Sequence, residues 1–395
     1  MRSSVIAQAS LAVLIIGAIG CEKIPTWGEL TSGQTTQPAA PVTPVPQQVV
    51  VVPAQESKPA SQKPEEVIAK FKALRSSEIS DTWLNQVTSL SEGTDQITEI
   101  NADGSQLTNS AFNSIAKLTN LRQLRVTGTR IDDGACTKIA EVPSLEVLIL
   151  NDTAVGDVGV AALSSLPNLK ELELIRCKLT TNGFAAIGNL PALKSIVVRH
   201  TNMDNNSLNL VCNAKTLTQL TISDNPINDV GLAGLKKLEA LEMLEMSHSQ
   251  VTGEGLQFVK KGGLKNLTWL GLYACPINDA GAKAISGLKS VEHLNIGLMP
   301  QMNDEGLSYV LTGMKKLKWL NLANNPNIDG AGLVPLKACK DLEELYLGSC
   351  PRIGDGNVDG LKKFKSLKVL TIHSTAITPK GKAEIQAALP DCKIN

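Results

Sequence analysis

The sequence predicts an α/β solenoid, a parallel sheet built from one short strand per repeat and backed by short helices on the opposite side. Three observations carry that prediction. From Ile97 onward the chain repeats every 24 to 26 residues, with copies starting at Ile97, Leu121, Leu145, Leu169, Leu193, Leu217, Leu241, Leu267, Val291, Leu317, Leu342 and Leu367. Positions 1, 4 and 6 are apolar in all twelve copies, and the alternation places 4 and 6 on one side of a strand, facing a core. Hydrophobic residues make up 43% of the 395 while Phe, Trp and Tyr supply only 3%, so that core is aliphatic and repetitive. The 38 Lys and Arg balance 38 Asp and Glu, which removes the electrostatic case for nucleic acid. Eight Cys in a chain of this length fall well below the density of a disulfide scaffold, and four His leave little material for zinc.

Ahead of the repeats the chain divides in three. Arg2 is the sole charge before residue 22 and Val5 to Gly20 is nearly all apolar and small, the pattern of a signal peptide over residues 1–20. Those sixteen residues, rising ~1.5 Å each, fall short of the ~30 Å of bilayer hydrocarbon, which disfavours a permanent span. The run closes on Ala18-Ile19-Gly20-Cys21, which resembles the lipobox of bacterial lipoproteins, although Ala18 stands where that motif usually has Leu. The resemblance implies a lipidated Cys21 that anchors the protein in a bacterial cell envelope, facing periplasm or cell surface. Ordinary cleavage and an uncleaved anchor are the alternatives. Residues 21–63, rich in Pro, Gln, Thr, Ala and Val, read as a disordered tether. The 42 residues after Cys21 would reach ~130 Å in a polyproline-like form at ~3.1 Å each.

Residues 64–96 are expected to form a helical cap. Pro64 suits the first helical position, Glu65 and Glu66 favour the positive end of the dipole, and Val67, Phe71 and Leu74 share one face. A second helix opens at Ser80 and Asp81, with Trp83, Leu84, Val87 and Leu90 at helical spacing. The repeat domain then runs over 97–395 in about twelve copies, and Cys392-Lys393-Ile394 reads as a last partial strand.

Within each repeat, position 9 is small and polar: Ser105, Thr129, Thr153, Cys177, Thr201, Asn225, Ser249, Cys275, Asn325, Cys350 and Thr375, with Met299 the exception. Such groups can satisfy buried backbone where the chain turns out of the strand. An apolar residue, a capping Asn, Asp or Thr, often a further Asp, and Gly follow, as in Ile227-Asn228-Asp229-Val230-Gly231-Leu232. The whole pattern, LxxLxLxx(N/C/T)xxIxDxGLxxLxxLxx, resembles the leucine-rich repeats, closest to the bacterial and cysteine-containing variants, over about three quarters of the chain. That resemblance implies a horseshoe with a concave parallel sheet and short convex helices. It makes a protein or peptide the first choice of partner. Departures are local: Asn206-Ser207 replaces the usual Gly, Gly262-Gly263 lengthens repeat 7, and repeat 9 carries Met299-Pro300.

Motifs of chemistry are missing from the sequence: it has no GxSxG, GxxxxGK(S/T), HExxH or CxxC. Cys177, Cys275 and Cys350 share position 9. At ~4.8 Å per strand they stand about 19 and 14 Å apart, too far for a disulfide, and none is expected. His200, His248, His293 and His373 fall at or beside sheet-face positions two or three strands apart, about 10 Å or more, which is too wide for one metal. The Asp of the helix starts, Asp157, Asp229, Asp279 and Asp304, is explained by the helix dipole rather than by calcium. No metal, cofactor or catalytic residue is expected.

The face of the sheet carries the sharper expectation. Positions 3, 5 and 7 point outward, and four of the five Trp and Tyr in the repeats occupy them: Trp269, Tyr273, Trp319 and Tyr346. Trp269, His293 and Trp319 fill one slot in successive repeats and should form a row about 10 Å long beside Tyr273 and Tyr346. Aromatics also suit strands by propensity, but an exposed cluster of Trp and Tyr marks a binding hot spot. Trp269, Tyr273, His293, Trp319 and Tyr346 are therefore the candidate ligand-binding set. A second group, Arg122, Arg125, Lys170, Glu171, Glu173, Arg176, Lys194 and Arg199, mixes signs and suggests a solvated or complementary surface. The expected function is a non-enzymatic envelope lipoprotein that binds protein or peptide on the concave face. A glycan on the same face, or a substrate-recognition subunit like the repeat adaptors of ubiquitin ligases, is the alternative.

Overall fold

The computed structural model describes residues 63–395. The expected signal peptide, Cys21 and almost all of the tether lie outside the described residues.

Thirteen short strands pair in strict chain order in one open, wholly parallel sheet. They are β1 (Glu99–Asn101), β2 (Gln123–Arg125), β3 (Val147–Ile149), β4 (Glu171–Glu173), β5 (Ser195–Val197), β6 (Gln219–Thr221) and β7 (Met243–Glu245). The series continues with β8 (Trp269–Gly271), β9 (His293–Asn295), β10 (Trp319–Asn321), β11 (Glu344–Tyr346), β12 (Val369–Thr371) and β13 (Lys393–Ile394). Each of β1 to β12 covers positions 3 to 5 of its repeat, and like positions pair with like: Trp269 with His293, His293 with Trp319, Trp319 with Glu344. Short α and 3-10 helices return on the other side, giving the α/β horseshoe class with the sheet as its concave layer. Leu124, Leu148, Leu172, Leu220 and Leu270 at position 4 are fully or almost fully buried in one continuous apolar core. Each repeat closes its leucines only against its neighbours, so the stack is stable as an array rather than unit by unit.

Position 8 holds a feature that the apolar pattern does not announce. It is left-handed in all twelve repeats, at Gly104 and Gly128 and then at Asp152, Arg176, His200, Asp224, His248, Ala274, Leu298, Asn324, Ser349 and Ser374. For a residue with a Cβ that conformation costs roughly 1–2 kcal/mol. Its return is a continued ladder: the position-8 amide donates to the position-7 carbonyl of the next repeat, as Asp152 does to Ile175 at 2.9 Å and His248 to Tyr273 at 2.8 Å.

That turn swings position 9 back into the core, where its side chain serves the backbone as expected. Thr129 and Thr153 donate to carbonyls three residues earlier, each at 2.7 Å. Asn225 works in both directions: Nδ2 donates to Val198 O at 2.7 Å and Ile222 O at 3.1 Å, while Oδ1 accepts from the amides of Thr201 at 3.1 Å and Met203 at 3.0 Å. The cysteines do the same job weakly. Cys177, Cys275 and Cys350 direct Sγ to the carbonyls of Leu150, Met246 and Leu322 in the preceding repeat, at 3.3, 3.4 and 3.2 Å. All seven cysteines among the described residues are free and buried.

The recurrent Asp sits in or just before the first helical turn, but its hydrogen bonds cross to the next repeat rather than serving only its own helix. The Asp229 carboxylate accepts from Thr252 N, Thr252 Oγ1 and Gly255 N at 2.7 to 2.9 Å, and Asp304 accepts from Asp329 N and Gly332 N at 2.9 and 2.6 Å. The recurring spacing to Gly has the same origin: at Gly183 a Cβ would meet the Asp157 carboxylate of the preceding repeat. Among the described residues two α-helices precede the sheet, α1 (Pro64–Ala73) and α2 (Asp81–Thr88), and they bury Val67, Phe71, Leu84 and Val87 in the same apolar core. Asp81 repeats the Asp device, accepting from Thr108 N at 2.9 Å and Ser110 Oγ at 2.7 Å.

Candidate functional site

Parallel pairing in register is what assembles the site, because it sets each position-3 side chain beside the next. On β8, β9 and β10 those side chains are Trp269, His293 and Trp319, and Tyr346 enters from position 5 of β11, paired with Asn321. The rings do not form an open 10 Å row. Both tryptophans lean across the shorter His293 until their centroids are 5.3 Å apart, at 31° between planes. Trp269 also stacks on His293 at 5.3 Å and 26°, and Trp319 meets Tyr346 at 5.4 Å and 48°. Aromatic contacts of this kind contribute about 0.5–1.5 kcal/mol each beyond area burial, which accounts for the leaning. All four rings are half-buried, so each keeps part of its surface in solvent.

Four of the five expected residues thus meet in one cluster. The fifth, Tyr273, instead pairs with His248 at 5.5 Å and 60°, and its ring lies over Gly297, where a Cβ would stand 3.0 Å from it. Position 7 lies on the same face as position 3 but past the C-terminal end of β8 (Trp269–Gly271), and this spacing along the chain separates the two groups.

Each end of the cluster meets a carboxylate. Trp269 Nε1 donates to Glu245 Oε2 at 3.4 Å, and the Tyr346 hydroxyl donates to Glu344 Oε2 at 2.5 Å. Glu245 is only 6% exposed. Its Oε1 accepts from Ser247 N at 3.1 Å, from Ser223 Oγ at 3.3 Å and from Ser247 Oγ. The carboxylate lies over Gly271, at which any Cβ would collide with it, so the missing side chain on β8 is what admits the charge. Burial pushes the Tyr346 phenol up to about 12, reinforced by the Glu344 carboxylate it bonds. Burial also lowers His293 below the usual imidazole range, more than the neighbouring Glu292 carboxylate restores, so this ring is neutral at pH 7. Glu245, Glu344 and Gly271 escape the sequence reading, which placed His248 at the sheet face but not beside Tyr273. The signal available for Glu245 and Gly271 is a position-5 glycine in the repeat that follows a position-5 glutamate.

Five of the six cations in the charged group of repeats 2 to 5 pair with carboxylates of adjacent repeats. Arg122 and Lys170 both pair with Glu146, at 3.2 and 2.6 Å, Arg125 pairs with Asp103 at 3.0 Å, and Arg199 with Asp224 at 2.8 Å. Arg176 pairs with Asp152, and Glu173 accepts from Asn151 Nδ2 at 2.8 Å. Burial raises Glu171, with Glu173 adding to the effect. Of the histidines, His200 and His248 occupy left-handed position 8, and His200 lies 3.5 Å from Asp224. Among the described residues no three His, Cys, Asp or Glu are grouped as metal ligands, and no helix is long and apolar enough to cross a membrane.

Residues 143–164 and 213–236 match the family model described as leucine rich repeat. Among solved structures, an internalin (inlF) from Listeria monocytogenes str. 4b F2365 is 18% identical with a TM-score of 0.55, over 84% of this chain and 93% of that one. A leucine-rich-repeat protein of Leptospira interrogans is 18% identical with a TM-score of 0.46, over 82% and 94%. No curated protein matches the sequence. At this identity the internalin likeness is one of fold.

Proposed function

We propose that this leucine-rich-repeat chain is a non-enzymatic binding protein that takes a protein or peptide partner on the sheet face of repeats 8 to 11. The single observation that carries the reading is the cluster of Trp269, His293, Trp319 and Tyr346, four contiguous half-buried rings on a rigid sheet. Trp and Tyr dominate binding hot spots because they bring large contact area at low entropic cost. The neighbouring ring planes differ by 26° to 48°, so the cluster offers no extended flat platform, which favours a peptide over a glycan. The thiols give no support to catalysis: burial raises Cys136, Cys177, Cys212, Cys275 and Cys350, away from the thiolate a nucleophile needs. Cys21 and its apolar leader support a lipid anchor in a bacterial cell envelope.

The binding claim is tested by replacing Trp269, Trp319 and Tyr346 together with Ala and measuring crosslinked partners from the envelope fraction. Loss of the wild-type adducts is expected; undiminished adducts refute the face. The anchor is tested separately: globomycin, which blocks lipoprotein processing, should leave the precursor uncleaved, and normal maturation would count against Cys21.

A further inference from the structure

The ring cluster lies in an acidic setting that lacks its counter-charge. Ring faces are electronegative and attract a cation within ~6 Å of a centroid. Here Trp269 and Tyr346 both spend their polar hydrogens on carboxylates, so the edges that carry positive charge are turned towards Glu245 and Glu344. Positions 3, 5 and 7 of repeats 7 to 12 contain these two carboxylates and no Lys or Arg. Lys318 and Lys368, one position away from the face, are held by Glu292 and Glu343 at 2.7 and 2.8 Å. Among the described residues, neither Glu245 nor Glu344 has a cationic partner, whereas Arg125, Arg176 and Arg199 on repeats 2, 4 and 5 each have an Asp. Glu245 is also unevenly satisfied. Three donors converge on Oε1 and only the 3.4 Å indole reaches Oε2, leaving acceptor capacity on the oxygen beside the rings.

We infer that this cluster is a receptor for a guanidinium, an arginine side chain of the partner seated against Trp319 and Tyr346 and bonded by Glu344, with the Glu245 carboxylate adding negative potential from the far end of the rings. The inference rests on the proposed protein-binding role of this face and names the chemistry it recognises. Arginine fits better than lysine: its plane stacks on rings, its fork of donors matches a carboxylate, and it is less strongly hydrated than an ammonium.

The experiment uses the full chain and hexa-arginine as probe, with hexalysine and hexaglutamate beside it, followed by tryptophan emission. Hexa-arginine should bind about tenfold tighter than hexalysine, and hexaglutamate should not bind. Glu344→Gln, at a half-exposed position, should weaken hexa-arginine about tenfold, Trp319→Ala by at least as much, and Glu146→Gln in the charged region by less than about twofold. Thermal midpoints of the variants exclude unfolding as the cause. Equal binding of the two basic peptides, an unchanged Glu344→Gln, or no binding to the wild type overturns the inference. Its failure is separable from failure of the binding face. Partner adducts that survive Glu344→Gln and excess free arginine but vanish in Trp319→Ala reject the guanidinium and keep the face, whereas adducts that survive Trp319→Ala reject both.

Discussion

Repeats 2 to 5 and repeats 8 to 11 present the same backbone with opposite side-chain economies. In the first region nearly every cation on or beside the sheet face finds a carboxylate from an adjacent strand, as Arg122 and Lys170 find Glu146 and Arg199 finds Asp224. In the second, rings pack on rings and two carboxylates remain without a cation. Parallel pairing in register makes both outcomes possible, since it brings like positions together whether they hold salt or aromatic side chains. A surface that answers its own charges has little reason to prefer a partner. One that concentrates half-exposed rings beside unanswered charge does.

The comparison assumes a common frame, and the most severe break should come from that frame rather than from either surface. Asn225→Ala leaves several buried backbone groups without partners in repeats 5 and 6, and should cost about 3 kcal/mol in urea unfolding, with Asn325→Ala close behind. A cost below about 1 kcal/mol would mean that water replaces the side chain, and the position-9 column would lose its structural meaning. Next in size is binding. Trp319→Ala should weaken partner capture by about 2 kcal/mol, roughly thirtyfold, in a surface-binding measurement, whereas Arg176→Ala should change it less than twofold. Reversal of that order would exchange the roles of the two regions.

A smaller effect separates the regions by salt. Side chains of Arg199 and Asp224 are 22% and 16% exposed, and Arg199→Ala should cost about 1 kcal/mol at low ionic strength and less at 1 M salt. Stability of Trp319→Ala should show no such salt dependence. The smallest effect is a titration. Tyr346 is held protonated by burial and by Glu344, with its phenol raised to about 12 in the fold against ~10 when unfolded. Its contribution to stability is therefore complete below pH 10 and lost as pH rises towards 12. Absorbance of the three tyrosines should show a last ionisation near 12 that disappears in Tyr346→Phe. Ionisation of all three near 10 would place Tyr346 in open solvent.

The sheet was legible because apolar residues at positions 1, 4 and 6 recur without a gap, and a residue's number then gives its face. The same arithmetic located Trp269, His293, Trp319 and Tyr346 on one surface. It could not foresee that the tryptophans lean over His293, since side-chain angles are decided by neighbours and not by register. Nor could it foresee that Tyr273 meets His248. Position 8 was hidden because its residues look unrelated: Gly104, Asp152 and Asn324 suit a left-handed turn, but Arg176, Ala274 and Leu298 do not. The recurrent Asp was visible, yet its partners lie one repeat later, a distance that only the folded stack closes.

Site-specific photocrosslinking tests the central claim most directly. A benzophenone residue is placed at Val369, which pairs with Glu344 at the edge of the cluster, and in a second chain at Glu171, in the charged region. The account predicts partner adducts from position 369 and none from position 171. Adducts from 171 alone, or equally from both, would contradict it.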